Sequence, residues 1–537
     1  MIARTLRWLL PAVAAVFFAL HFLHLSADFP NNSPWMDWSK YTDEGWYGDA
    51  AIRQVLSGHW YWKGDFNPAV ALPVWPLLEW VVFSVAGVSA AAARALTLCV
   101  FGVTLWAAWR LLEDHAPAGG HRARLAAPIA MLMLCVSPFF YAFERMAILE
   151  PLLICETLLA MLVAAELPLS FGRPASFRRA CKDWWPSVAL ALLLPAMVLT
   201  KTTAIFLLPA IGYMVWARAD HSLRRALRMG LPPAIAGAAL WMAYYALVVH
   251  PHYLADYQYL FSANAYTGIE LEPLAKVILN TIEDGSWMGT VVYPLLFVVI
   301  ALMLFWRPRL LRAPAVPALL LWAGGYFAFL AYHNNLQPRY YLVPALPITL
   351  LVAVGLDSFR AARGPRLTLL ASAAVSIAVL GIVVPDAAQT LNFVTHPTYE
   401  LRGAFEGIRS IVMADATHPH LVLSISGSDM TLMTGVPSID DDFGTMELGD
   451  RVKAYRPGWY AAWNELDDDK MDALTPLYHV ERVASFPALD DPDRNLLILY
   501  RLDPTIVTPR LRTLKLRVPK PLVTKLGQQP TTMQLEH

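Results

Sequence analysis

The residues of this chain best suited to chemistry are a carboxylate pair, Asp43-Glu44, and a set of charges that recur at the ends of apolar stretches: Glu144, Arg145, Glu150, Lys201 and Arg339, the last followed by Tyr340. A carboxylate can take the proton from an attacking hydroxyl, and cations can stabilise a departing phosphate. Arginine adds bidentate geometry to that second task. Together these groups suit the transfer of a sugar whose activation is carried by a lipid phosphate. Outside the cytoplasm there is no nucleotide-sugar pool, so a transferase there needs such a donor.

Each of these residues also has a plainer reading. Asp43 stands where it could N-cap a helix that follows it, and catalysis and capping both stay open at this point. Arg145, Lys201 and Arg339 could each reach lipid headgroups from a span end. Consecutive residues on a turn diverge, so Asp43 and Glu44 are expected to differ, one as base and the other holding donor or acceptor hydroxyls. Glu144 and Glu150, with Asp43, could bind a divalent metal, although no His or Asp spacing marks a metal site. Tyr47, Trp60, His250 and His333 are candidates for substrate contact. Interfacial aromatic belts and solvated loop histidines account for them equally simply.

The elements that must position these residues are membrane spans. Of 537 residues 57% are hydrophobic and 16% are charged, which is too apolar for a soluble chain of this length. Net charge is zero, so nothing global points to nucleic acid. The four cysteines show neither a disulfide framework nor zinc spacing. Apolar stretches at Trp8–Leu25 and at 90–109, 126–143, 151–167, 186–200, 203–217, 230–249, 288–306, 315–332, 341–357 and 367–385 give about eleven spans. Arginines and lysines gather in alternate loops, such as Arg173 to Lys182 and Arg218 to Arg228, which places those loops and the N-terminus in the cytoplasm. The run Pro68 to Val88 carries Pro68, Pro73, Pro76 and Glu79 and reads as a re-entrant or surface-lying helix. Residues 27–89 then form one external loop, with a helix expected over Trp46 to Leu56 and stopped by Gly58.

All the candidate site residues fall on the external side under this topology. Beyond about residue 386 charges become frequent and apolar runs shorten to strand length, at Leu421–Ser426, Gly458–Trp463, Tyr478–Phe486 and Asn495–Leu502. Helical stretches near 403–414, 446–455 and 467–474 lie between them, so residues 386–503 read as a soluble extracytoplasmic α/β domain. Residues 504–537 read as an extended tail.

In order along the chain, Asp43-Glu44 with Tyr47 and Gly58-His59-Trp60, Arg145 with Glu150-Pro151, Leu199-Thr200-Lys201, and Arg339-Tyr340 before a proline-containing span resemble the GT-C superfamily of membrane glycosyltransferases. The likeness is to its protein mannosyltransferase and aminoarabinose (lipid A) transferase branch and covers the chain to about residue 385. It implies a polyprenyl-phosphate sugar donor, an inverting transfer, and Asp43 as base. Two departures limit it. Asn67-Pro68-Ala69-Val70 stands where many relatives have Lys-Pro-Pro-Leu, and Glu150 stands where they often have Asp.

The sequence therefore sets up an α-helical polytopic membrane protein of the GT-C type, a multi-pass protein of a bacterial inner membrane with its C-terminal domain outside. Its expected activity is glycosyl transfer from a polyprenyl-phosphate donor to an extracytoplasmic lipid, glycan or protein acceptor. The alternative is a transporter or flippase of a lipid-linked saccharide, which predicts polar residues deep within spans and an internal repeat. A non-catalytic scaffold ranks behind both.

Overall fold

A computed structural model of the chain describes residues 2–29, 43–116, 124–169, 177–263, 300–332, 337–360, 365–490 and 494–505. Apolar helices dominate up to residue 395. In chain order they are α1 (Ile2–Leu20), α2 (Glu44–Ser57), α3 (Val74–Ala86), α4 (Ala90–His115), α5 (Ala126–Val136), α6 (Pro138–Phe143), α7 (Leu149–Ala165) and α8 (Phe177–Thr200). They continue with α9 (Leu208–Arg218), α10 (Leu223–Tyr244), α11 (Leu254–Ala263), α12 (Ala315–Tyr332), α13 (Leu342–Arg360) and α14 (Pro365–Thr395).

Among the described residues four helical segments are long and apolar enough to cross a membrane: Ala90–His115, Leu223–His252, Pro338–Arg360 and Leu369–Ala414. Six shorter apolar helices accompany them among the described residues, so the count of about eleven spans is not confirmed. The difference has local causes. The apolar run 126–143 is broken at Ser137-Pro138, where proline starts a new helix, and most of the run 288–306 lies outside the described residues.

One helix forms the centre. α13 is buried at every position from Leu342 to Leu356 and packs against α5, α7 and α12, which is why its sequence is apolar all round. At the periphery the apolar residues face outward: Leu227, Leu231 and Ile235 of α10 and Leu370, Ile377 and Val384 of α14 are exposed. An apolar surface of that extent suits contact with lipid and not with water.

The segment between α1 and α4 is built on prolines. Pro68 opens a single 3-10 turn, and α3 follows after Pro73. With 13 residues α3 is about 20 Å long, too short to cross a hydrocarbon core of about 30 Å. Trp75, Glu79 and Phe83 recur on its inner face, while Leu78, Val81 and Val85 are exposed on the other, so it lies against the protein with an apolar outer surface. α2 runs Glu44–Ser57 and stops at Gly58, whose φ of 78° is the left-handed conformation that glycine adopts without strain.

After α14 come α15 (Glu400–Ala414), β1 (Val422–Leu423), α16 (Gly427–Thr434), β2 (Ser438–Ile439), α17 (Leu448–Tyr455), β3 (Trp459–Trp463), α18 (Asp468–Leu474), β4 (Tyr478–Pro487) and β5 (Leu496–Pro504). The five strands form one sheet in the order β2-β1-β3-β5-β4. β1 is parallel to β2 and β3, as crossovers through α16 and α17 require, and β5 is antiparallel to β3 and β4. Phe405, Ile408 and Val412 of α15 close one face of the sheet over Trp459 and Leu499. Elements of this unit also reach back to α2, and that contact bears on the site.

Candidate active site

Asp43 sits at the N-cap position of α2, but its side chain makes no capping hydrogen bond. It pairs with the guanidinium of Arg339 instead. Arg339 comes from the 3-10 turn Pro338–Tyr341, where Pro338 starts the turn that runs directly into the central helix α13. Its side chain is 3% exposed, against 20% for Asp43, so the pair has one buried and one open partner. Among the described residues Nε and Nη1 of Arg339 are buried without a hydrogen-bond acceptor. A buried guanidinium with two unmet donors is costly unless an anion can reach it.

Lys201 and Glu150 complete the group. Lys201, in extended backbone between the end of α8 and the 3-10 turn Thr202–Leu207, donates from Nζ to Glu150 Oε1 at 2.6 Å. Glu150 lies in the first turn of α7, where a carboxylate is favoured by the helix dipole. The rings tie the two ion pairs together: Lys201 Nζ lies 4.5 Å and Arg339 Cζ 5.5 Å from the centroid of Tyr340. Tyr47, one turn into α2, lies in the electrostatic field of Arg339, Asp43 and Glu150, and burial pushes its phenol up, so it stays a hydroxyl. Of the residues singled out by sequence, the structure thus brings together Asp43, Tyr47, Glu150, Lys201, Arg339 and Tyr340. They arrive from four separate parts of the chain.

Glu44 points elsewhere. It is fully buried and held by Arg94 of α4, Nε to Oε1 at 2.8 Å and Nη2 to Oε2 at 2.6 Å, while the Ala147 N–H donates to Oε1 at 2.8 Å. Arg94 also donates to the carbonyls of Leu25 and Ala27. Glu44 therefore locks α2 to α4 and to the turn before α7. Sequence reasoning missed Arg94, though an arginine inside an apolar helix is itself the signal.

Arg145 and Glu144 are also outside the group. The guanidinium of Arg145 lies 4.5 Å from the Tyr141 ring and donates to the Leu23 and His24 carbonyls at 2.7 and 2.8 Å, closing the chain beyond α1. Glu144 is fully buried, and among the described residues neither carboxylate oxygen has a hydrogen-bond partner. Trp60 packs edge-on to Trp80 of α3 at 5.6 Å, and His250 is exposed beside Tyr245. His333 lies outside the described residues. The divalent-metal site suggested by Asp43, Glu144 and Glu150 does not fit this arrangement. Among the described residues no group of three or more His, Cys, Asp or Glu side chains is placed to hold a metal ion, and here Arg339 engages Asp43 while Lys201 engages Glu150.

The start of α2 is held from the C-terminal unit. The Gly45 N–H donates to Asp429 Oδ1 at 2.7 Å, Trp46 Nε1 donates to the Ile425 carbonyl at 2.9 Å, and Ser428 Oγ donates to Asp49 Oδ1 at 3.0 Å. Burial, together with the nearby Glu44 and Asp43 charges, pushes the Asp429 carboxyl well up, against the pull of the Gly45 bond.

No protein-family model matches the chain, and no curated protein matches it in sequence. Solved structures do. The chain is similar to ArnT from Cupriavidus metallidurans bound to undecaprenyl phosphate, at 16% identity over 92% of this chain and 97% of that one, with a TM-score of 0.56. It is also similar to the apo form of the Archaeoglobus fulgidus oligosaccharyltransferase, at 11% identity over 87% and 71% of the two chains, with a TM-score of 0.50. At such identities the likeness is one of fold.

Proposed function

We propose that this protein is an integral-membrane glycosyltransferase that moves a sugar from a polyprenyl-phosphate donor to an acceptor hydroxyl on the extracytoplasmic side, with inversion. The observation that carries this reading is the Asp43–Arg339 pair, in which a half-open carboxylate faces a buried guanidinium with two unmet donors, beside the Lys201 ammonium. Donor phosphate takes up Arg339 Nε and Nη1 and approaches Lys201. Asp43, released in part from Arg339, takes the proton of the acceptor hydroxyl as its oxygen attacks the anomeric carbon from the face opposite the phosphate. The new glycosidic bond forms as the carbon–oxygen bond to phosphate breaks. The electron pair leaves with the polyprenyl phosphate, whose charge Arg339 and Lys201 hold. Tyr47 is placed to donate from its hydroxyl to the phosphate or to a sugar hydroxyl. Glu150 keeps the Lys201 ammonium in position.

The membrane topology follows the same reading. The N-terminus is cytoplasmic, residues 27–89 and 386–503 are external, and the membrane is a bacterial inner membrane. An undecaprenyl phosphate is the donor carrier by analogy with the ligand of the Cupriavidus metallidurans enzyme. The acceptor is a lipid, a glycan or a protein hydroxyl.

Asp43→Asn tests the assignment. In membranes supplied with lipid-linked sugar it is expected to lower transfer by about a thousandfold or more while leaving the protein folded, since it removes the base and keeps the side-chain volume. Residual transfer close to that of the unaltered chain would sink Asp43 as base. The transporter reading is served less well. Arg94 and Glu156 do lie within helices, but Arg94 is closed off by Glu44 and Glu156 accepts from Thr200 at 3.1 Å, so neither lines an open path. Reconstituted vesicles separate the two readings: a transporter delivers intact donor to the far leaflet, and a transferase cleaves it.

A further inference from the structure

A helix N-terminus needs an acceptor for the N–H of its second or third residue, and Asp43 occupies the position from which a side chain normally supplies it. Here Gly45 is that second residue, and its N–H is met at 2.7 Å by Asp429, a residue distant in sequence, from the first turn of α16. The approach is close. A Cβ on Gly45 would come within 2.2 to 2.4 Å of the backbone of Ser428 and Asp429, so only glycine lets α16 dock here. Asp429 is 1% exposed, and Gly45 is buried with it.

We infer that Asp429 is a positioning residue for the transfer reaction: it caps α2 in place of Asp43 and thereby leaves the Asp43 carboxylate free to face Arg339 and the substrate. The inference rests on the transferase reading given above. If Asp429 loses its acceptor, the Gly45 N–H is left buried without a partner. Asp43 stands at the N-cap position and is of a residue type preferred there, so its carboxylate can take over that bond. Asp43 then turns inward to its own helix and away from Arg339. The C-terminal unit is in this sense part of the active site, although it contributes no reacting group.

The test uses the full-length chain, purified, with lipid-linked sugars extracted from bacterial membranes as donor and release of free polyprenyl phosphate as the signal. Asp429→Leu keeps the volume and removes the acceptor; Asp429→Asn keeps an acceptor oxygen. The first is expected to lower kcat by about tenfold or more with the donor KM within about twofold, and the second to stay within about threefold of the unaltered chain. Trp46→Phe, which removes a different bond between α2 and the C-terminal unit, is expected to leave kcat nearly unchanged. Amide exchange at Gly45 gives a second signal, fast in Asp429→Leu and slow in Asp429→Asn. The proposal is overturned if Asp429→Leu keeps kcat within twofold, or if Trp46→Phe falls as far as it does, since docking in general and not the cap would then matter. A chain that releases no polyprenyl phosphate even unaltered counts against the transferase reading alone, and the cap is then decided by the exchange at Gly45. Where Asp429→Leu does not fold, Asp429→Ala takes its place, with the same outcomes.

Discussion

Asp43 and Glu44 are adjacent in sequence yet belong to different machinery. The side chain of Asp43 reaches an open cluster of charges, whereas Glu44 is fully enclosed by Arg94 and the Ala147 amide. The energetic consequences separate accordingly. A buried ion pair contributes little net stability relative to an apolar pair, but removing one partner strands the other at a cost of about 3–5 kcal/mol. Glu44→Ala leaves the Arg94 guanidinium buried beside two carbonyls without its bidentate partner, so it is expected to lower stability by about that amount. Thermal unfolding of the purified protein reads this directly. Asp43→Asn, with a partner that already has unmet donors, is expected to shift the unfolding temperature far less while removing activity. A Glu44→Ala variant as stable as Asp43→Asn would show that the two carboxylates do not divide in this way.

At the scale of elements, α2 is the part on which everything converges, and two glycines let it do so. Gly45 meets backbone atoms of α16, and Gly48 meets the Glu79 carboxylate of α3, where a Cβ would lie 2.5 Å from Oε2. The two obstacles differ in kind. A side-chain terminus can shift at a cost typical of overpacking, about 1–3 kcal/mol, whereas a backbone segment can only back away as a unit and gives up its hydrogen bonds to α2. Gly45→Ala is therefore expected to destabilise more than Gly48→Ala in the same unfolding measurement, and the reverse order would argue against docking through α16. Much of this was legible in sequence. The helix expected over Trp46–Leu56 with Gly58 as its stop is observed as Glu44–Ser57 with Gly58 in the left-handed conformation. The strands expected at Gly458–Trp463, Tyr478–Phe486 and Asn495–Leu502 are observed as Trp459–Trp463, Tyr478–Pro487 and Leu496–Pro504. α16 and β2 were not legible, because Gly427-Ser428-Asp429 has turn composition and a two-residue strand has no period to detect. Nor can spacing show that Arg145 turns back to α1 while Arg339 crosses to Asp43, since both stand at span ends and only tertiary packing distinguishes them.

The whole molecule joins an apolar helical body to a sheet unit that carries its own ionic clasp. His418 lies between two carboxylates, Nδ1 2.7 Å from Asp415 Oδ2 and Nε2 2.8 Å from Asp503 Oδ1, and so links the turn before β1 to the end of β5. Burial is the largest single influence and pulls the imidazolium down, but the hydrogen bonds to Asp503 and Asp415 and the charges of those two carboxylates together outweigh it and hold His418 above the usual histidine value of 6.5. Asp415 is held below the usual carboxylate value, chiefly by hydrogen bonds from Thr417, and Asp503, despite partial burial, by His418 and Arg501. The signs fix the pH window. A raised histidine contributes stability that is complete below 6.5 and is lost as pH rises through its folded value, and the depressed carboxylates contribute stability that is complete above 3.8 and is lost as pH falls. The clasp is thus strongest between those two values and weakens on going alkaline. His418→Asn keeps a polar side chain without the charge, so the fall in unfolding temperature from mildly acidic to alkaline pH is expected to be steeper in the unaltered protein than in the variant. Parallel slopes would mean that the imidazolium does not hold β5. Because the clasp sits on the sheet unit and the Asp429 contact sits where that unit meets α2, His418→Asn is expected to alter the unit's pH stability while leaving transfer by the folded protein at the same kcat.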